Sequence, residues 1–328
     1  MDGPRWLRGV RFILRGAREM VSQIFSRSRS VYYAPGSVPR SADAPPRWAI
    51  VTGANGGIGT EIAKGLVRDG VSVVLACRSE TDALRTKKDV EECVQGRSTV
   101  HSIPLDLSSF RSIQSFVRRF EEMKVPLHIL VNNAAVMSVP AFTPTEDGFE
   151  TQMGVNHVGH FLLTALLLPK LESSGGAARV VFVSSIAHEY TTSIDWNVFR
   201  SHPHYSPAES YAQSKLANVM TTYELERRYR ARGIRFYAVH PGVVRTNITR
   251  HLVWPLPFIA KWLGHLMFRT PADGALTVLH CALSPDLDNG GGKYYADGVA
   301  TESSPASYNE EMAHELVDRS FAFVKDFL

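Results

Sequence analysis

Cysteine is scarce. Only Cys77, Cys93 and Cys281 occur in 328 residues. An odd, widely spaced set offers no disulfide framework and points to a reducing compartment. None forms a C-x-x-C pair, and no His/Cys cluster has zinc spacing, so no metal site is expected. A strong charge of one sign is also lacking. The net charge is +4, and no basic stripe is interleaved with aromatics, which argues against nucleic acid as a partner. Residues 1–46 contain no run of about 18 apolar residues, so a transmembrane helix is not expected there. Arginines interrupt any apolar core that a secretory signal would need. No internal repeat is visible.

What is present is a hydrophobic content of 44%, enough for a sizeable core. The chain is organised around Trp48–Gly59, WAIVTGANGGIG. A short apolar run turns glycine-rich and leads into a helical pattern over Thr60–Arg68. Gly53, Gly57 and Gly59, with Asn55 and Ile58 between them, have the spacing of a strand feeding a tight turn and a helix N-terminus. Glycine lets backbone approach a ligand closely, and a free helix end favours a phosphate. An ordinary strand–helix turn would look similar.

Apolar strand-like runs then alternate with helical ones. Strands are predicted at Val71–Ala76, Thr99–Leu107, Leu127–Val131, Arg179–Val183 and Ile234–Val239. Helices are predicted at Thr81–Gln95, Phe110–Met123, Asp147–Leu171 and Glu209–Arg232. Buried strands separated by helices imply an α/β fold: one doubly wound parallel sheet with helices on both faces and a ligand at the carboxyl ends of the strands.

The second strand ends at Cys77-Arg78, where an NAD site would place an acidic residue for the ribose hydroxyls. Arg78 can fork onto a 2′-phosphate instead. A charged hydrogen bond contributes about 1.5–3 kcal/mol, or roughly a 10- to 100-fold preference for NADP(H). Asp106 either accepts from an adenine amino group or serves the next helix as a capping carboxylate.

Tyr211 and Lys215 stand four apart at the start of a predicted helix, hence on one face. A free tyrosine titrates near 10. A neighbouring ammonium favours the phenolate, and about three units of lowering corresponds to about 4 kcal/mol. Tyr211 would then exchange protons with an alcohol or carbonyl. Ser184 and Ser185 end the fifth strand; Ser185, the outermost, is placed to hold the substrate oxygen. Asn156, inside a helical run, either holds a water or backbone carbonyl near Lys215 or is a satisfied interior amide. His157, His160, His188 and His240 have no metal-like spacing and read as structural or pocket-lining.

Residues 1–46 form a separate segment. Seven arginines from Arg5 to Arg29 accompany apolar residues at helical spacing, among them Trp6, Val10, Ile13 and Ala17. A basic amphipathic helix on an anionic membrane is expected, with an organelle transit peptide, a packed helix or a tail as alternatives. Pro35–Pro46 reads as a linker into a domain spanning 47–328.

Taken together, Thr52–Gly59, Asp106-Leu107, Asn132-Asn133-Ala134, Asn156, Ser185, Tyr211-x-x-x-Lys215 and Pro241-Gly242 resemble the short-chain dehydrogenase/reductase family, in its order and spacing. VLACR78, GVNHVGHFLLT164, YAQSKLAN218 and AVHPGVVRT246 are similar to its retinol dehydrogenase-like branch. The resemblance implies a Rossmann-type fold and an NADP(H)-dependent oxidoreductase. Gly53, Asn55, Gly57, Ile58 and Gly59 would take the pyrophosphate side, and Arg78 the 2′-phosphate. Asp106 with Leu107 would meet the adenine, and Asn133 and Ala134 the adenosine ribose. Tyr211 would be the acid–base, Lys215 would hold the nicotinamide ribose, Ser185 would polarise the substrate oxygen and Asn156 would complete a proton relay. Pro241, Gly242, Val244 and Thr246 would follow the carboxamide. One departure is Ala135, where the family usually has glycine.

His251–Phe268, HLVWPLPFIAKWLGHLMF, is intensely apolar. In the family this position covers the substrate, so a hydrophobic alcohol/carbonyl pair is expected: retinoid, polyprenoid or steroid-like. A helix packed on the sheet or on a second subunit is the alternative. The expected setting is intracellular and membrane-associated, on endoplasmic reticulum or lipid droplet, with a mitochondrion or other organelle as the alternative. Peripheral membrane contact is expected, and a homodimer is compatible with the family. A nucleotide-sensing scaffold on the same fold is the competing function; an intact Ser/Tyr/Lys set argues against it.

Overall fold

Every residue of β1 (Trp48–Thr52) is buried. Trp48 and Ile50 enter one apolar cluster, Ala49 and Val51 another. This is the period-two geometry of a strand covered on both faces. The chain is described by a computed structural model for residues 32–34, 47–94, 98–175, 178–200, 205–244 and 269–328. The amphipathic segment's residues 1–31, the linker Pro35–Pro46, Thr246 and the apolar stretch 251–268 lie outside the described residues. Just before the expected linker, Tyr33 is described: its hydroxyl donates to Asp69 at 2.7 Å, and its amide donates to His280 Nδ1 at 3.1 Å.

β1 pairs in parallel with β2 (Ser72–Cys77) on one side and β4 (Ile129–Asn132) on the other. β3 (Val100–Pro104) lies outside β2; β5 (Ala178–Val183), β6 (Ile234–His240), β7 (Lys293–Ala296) and β8 (Val299–Thr301) follow β4. The order β3-β2-β1-β4-β5-β6-β7-β8 reverses direction at β1/β4. A crevice therefore opens at the carboxyl ends of these two strands. The sheet is not wholly parallel, as β8 runs antiparallel to β7. The two join through Asp297-Gly298, both at positive φ (54° and 76°), a turn that suits the twist of a hairpin.

Helices α1 (Gly57–Arg68), α2 (Glu80–Glu91) and α6 (Pro271–Leu283) bury their apolar stripes against one face. Helices α3 (Phe110–Glu122), α4 (His160–Glu172), α5 (Pro207–Tyr229) and α7 (Glu310–Val324) cover the other.

The long helix predicted over Asp147–Leu171 is interrupted at its start. Gly148 has φ 79°, and the Asp147 carboxylate accepts from the Phe110 amide at 2.8 Å, serving α3 instead. A helical turn, Thr151–Met153, is capped by Glu150 and passes into a π-helical turn, Gly154–Gly159, before α4 begins. The predicted third strand is shorter: its ladder ends at Pro104, and Leu105–Leu107 turn into the crevice loop. The helix predicted to reach Gln95 ends at Glu91.

Candidate active site

The glycine turn after β1 opens the site. Gly53 has φ 63°, and its amide donates to Ala76 O at 2.8 Å, binding the turn to β2. Gly59 packs so closely that a Cβ there would meet the Gly53 carbonyl and come within 2.8 Å of Asn133 Nδ2. Helices α2, α3, α5, α6 and α7 each start under a side-chain cap, from Ser79, Ser109, Ser206, Thr270 and Asn309. Helix α1 starts at Gly56 with no side-chain cap and no acid in its first turn. Its first amides are left for a ligand, and the helix dipole favours an anion.

These amides face a cavity of about 530 Å³. Gly53, Asn55, Gly57, Ile58 and Gly59 line it from β1, Arg78 from β2, Asp106 and Leu107 after β3, and Asn133 and Ala134 after β4. Arg78 is exposed at the rim. Asp106 Oδ1 accepts from the Ser108 amide (2.9 Å) and hydroxyl (2.7 Å), so it also shapes its own loop. Ala135 lines the cavity too. Among the described residues, the non-glycine positions at positive φ are Lys124, Ser138 and Asp297. The backbone at Ala135 therefore does not need glycine.

Thr52 binds the two central loops together. Its hydroxyl oxygen accepts from the amides of Asn133 (2.9 Å) and Ala134 (3.0 Å). Asn133 Nδ2 donates back to Thr52 O at 2.8 Å. Thr52 stands in the sequence motif, but its bonding partners are about 80 residues away and only folding reveals them. Ser79, Asp82, Val136, Met137 and Pro271 also line the cavity and carry no local signal that singles them out.

Tyr211 and Lys215 lie in the first turns of α5, as the spacing predicts. Lys215 Nζ sits 5.5 Å from the Tyr211 ring centre and donates to Val183 O at 2.9 Å. Both side chains are buried. Ser184 turns inward and donates to Lys215 O at 2.8 Å. Ser185 stands by the Tyr211 hydroxyl, where it favours the phenolate, and its own Oγ accepts from the Ala187 amide at 3.2 Å.

The expected lowering of the tyrosine pKa is not what this arrangement produces by itself. Burial pushes Tyr211 up to about 12, against the hydrogen bond from Ser185. Burial likewise pulls Lys215 down to about 7. Each charged form loses its water, and the pair alone does not replace that solvation.

Asn156 is in the π-helical turn, not in regular α-helix. Its Oδ1 accepts from Val136 N and its Nδ2 donates to Val136 O, both at 2.9 Å. Nδ2 also reaches Ser214 Oγ at 3.0 Å. The side chain thus holds a backbone carbonyl, that of Val136 in the cavity loop, and reaches the residue before Lys215. The Asn156 carbonyl accepts from His160 Nδ1 at 3.1 Å. Burial holds His160 and His157 neutral, at about 3 and about 4. Pro241, Gly242 and Val244 lie outside the cavity lining; Gly242 has φ 85° and packs on Arg269. The carbon frame of Val244 contacts α6 beside Ile58 of the glycine turn.

An uncapped helix end over a crevice, with a half-buried serine at the end of β5 and a buried tyrosine and lysine on α5, defines a dinucleotide-dependent oxidoreductase. The model of the short chain dehydrogenase family matches residues 47–254. Human polyprenol dehydrogenase is 40% identical over 310 residues, 93% of this chain and 92% of that protein. Human retinol dehydrogenase 12 is 42% identical over 296 residues, 87% of this chain and 88% of that protein. A crystal structure from Mycobacterium paratuberculosis shares the fold with a TM-score of 0.67 at 30% identity, covering 90% of this chain and 98% of its own. The chain belongs to the short-chain dehydrogenase/reductase family, whose members are oxidoreductases that use a nicotinamide cofactor.

Proposed function

We propose that this protein interconverts a hydrophobic alcohol and its aldehyde or ketone with NADP(H), on substrates of retinoid, polyprenoid or steroid type. The observation that carries the reading is the meeting of Ser185, Tyr211 and Lys215, which do not line the cavity at the uncapped start of α1 but are joined to it through Asn156, bonded both to the lining residue Val136 and to Ser214 of α5. Bound in that cavity, the dinucleotide supplies or accepts the hydride.

The chain's own residues do the rest. Gly53, Asn55, Gly57, Ile58 and Gly59 admit the pyrophosphate against free amides. Arg78 at the rim takes the 2′-phosphate, which an acidic residue there would repel. Asp106, Leu107, Asn133 and Ala134 hold the adenosine half. Ser185 donates to the substrate oxygen. Tyr211, protonated at neutral pH, hands that oxygen its proton, which suits reduction. Lys215 holds the nicotinamide ribose and favours the phenolate that remains. Asn156 keeps the Val136 loop in place. Pro241, Gly242, Val244 and Thr246 follow the carboxamide.

The likeness to polyprenol and retinol dehydrogenases supports a long apolar substrate, and the apolar composition of residues 251–268 suits a cover over it. Residues 1–46 supply a membrane-surface contact, and a homodimer is the assembly to test for. Among the described residues no helix is long and apolar enough to cross a membrane.

The test is NADPH consumption by purified protein in mild detergent with retinal, a long polyprenal and a steroid ketone, and with NADH in parallel. Turnover of one carbonyl with NADPH, little with NADH, and loss of turnover in Tyr211→Phe with nucleotide still bound is the expected result. NADPH binding with no carbonyl reduced would overturn it in favour of a nucleotide-sensing role.

A further inference from the structure

We propose that His188 is a positioning residue that locks Ser185 to the C-terminal turn 303–308 and thereby sets the serine against Tyr211. His188 is fully buried, with its ring 4.8 Å from that of Tyr294. Its Nδ1 lies 2.7 Å from Ser185 O, and its Nε2 accepts from the Ser304 amide at 2.9 Å. A carbonyl can only accept and an amide N–H can only donate. The ring is therefore neutral, with its proton on Nδ1.

Both ends of this bridge lead back to one helix. Ser185 stands by the hydroxyl of Tyr211 on α5. At the other end, Ser303 Oγ meets Tyr223 Oη, also on α5, at 2.6 Å, and Ser307 Oγ at 2.6 Å. The Ser303 amide donates to the Tyr308 hydroxyl at 3.1 Å. The path from Ser185 through His188, Ser304 and Ser303 to Tyr223 ties the serine to α5, the helix that carries Tyr211. Without the imidazole, Ser185 is held by its own short turn alone: the bond to Ala187 N and the backbone bond from His188 N to Ser185 O. The carbonyl plane of Ser185, and with it the direction of its hydroxyl, would then be free to shift. A shift of a fraction of an ångström at a reacting group is costly in rate.

The proposal rests on the reading of Ser185 and Tyr211 as the groups that handle the substrate oxygen. The experiment is a double-mutant cycle on the full chain in mild detergent. The variants are His188→Phe, Ser185→Ala and the double variant, with His188→Asn and Tyr211→Phe alongside. Carbonyl reduction is measured for kcat and KM, and NADPH binding by fluorescence. His188→Phe is expected to lower kcat about tenfold with NADPH affinity kept, the scale of one lost positioning hydrogen bond. Asparagine can still donate to Ser185 O, so His188→Asn is expected to recover most of that loss; it also carries the test if the phenylalanine variant fails to fold. In the Ser185→Ala background, His188→Phe should cost nothing further. An unchanged kcat in His188→Phe, or effects that add in the double variant, would overturn the proposal. Full turnover by Tyr211→Phe would overturn the reading beneath it instead.

Discussion

Replacing Lys215 by methionine tests the electrostatics of the buried tyrosine–lysine pair directly. The ammonium is buried, and burial brings its pKa from 10.5 to about 7. Between those values the unfolded chain carries a proton that the folded chain does not. Stability then rises with pH across that window, because the unfolded state binds the extra proton and rising pH disfavours it. Between pH 7 and pH 9 the two titrations together give about 2 kcal/mol of added stability from this one residue. Methionine is similar in volume and does not titrate, so the variant lacks this slope. Cys77, raised from 9.0 to about 11, and Tyr211, raised from 10.0 to about 12, titrate near or above the top of the window and are shared by both proteins. The assay is urea unfolding of both nucleotide-free proteins at pH 7, 8 and 9. The stability difference between them should change by about 2 kcal/mol over that range, the wild type gaining as pH rises. Parallel pH dependences, within about 0.5 kcal/mol, would refute the claim that the buried ammonium lacks compensation.

Three further outcomes follow from the same geometry. Arg78→Leu should weaken NADPH binding by about 10-fold, toward the low end of what a charged hydrogen bond supplies because the side chain is exposed, and leave NADH binding unchanged in titrations. Gly59→Ala should cost about 1–3 kcal/mol in urea unfolding and abolish tight nucleotide binding, since its methyl meets the Gly53 carbonyl, which belongs to rigid backbone. Asn156→Ala leaves the amide and carbonyl of Val136 without their partner. It should lower stability by about 1–3 kcal/mol and raise the KM for NADPH in steady-state assays.

Much of this protein was legible in the chain because the relevant physics is local. Buried parallel strands need near-continuous apolar runs, and those runs place β1 to β6 to within two or three residues at most ends. The glycine turn is legible because positive φ and close approach admit few other residues, and Tyr211 and Lys215 because one helical turn brings four-apart residues to one face. The β7–β8 hairpin left a signal too, in Asp297-Gly298, which is easily passed over in a chain dominated by helical crossovers. The same holds for Thr270 and Asp273, the capping box that starts α6.

What the tertiary structure alone decided is everything that depends on partners distant in sequence. No local pattern says that Asp147 caps α3, that Thr52 gathers the amides of Asn133 and Ala134, or that the backbone Asn156 holds is that of Val136. Nor does it say which way the tyrosine and lysine titrate. Spacing brings a phenol and an ammonium together, and their attraction is what the sequence suggests. Burial is a property of the whole fold, and its desolvation outweighs that attraction.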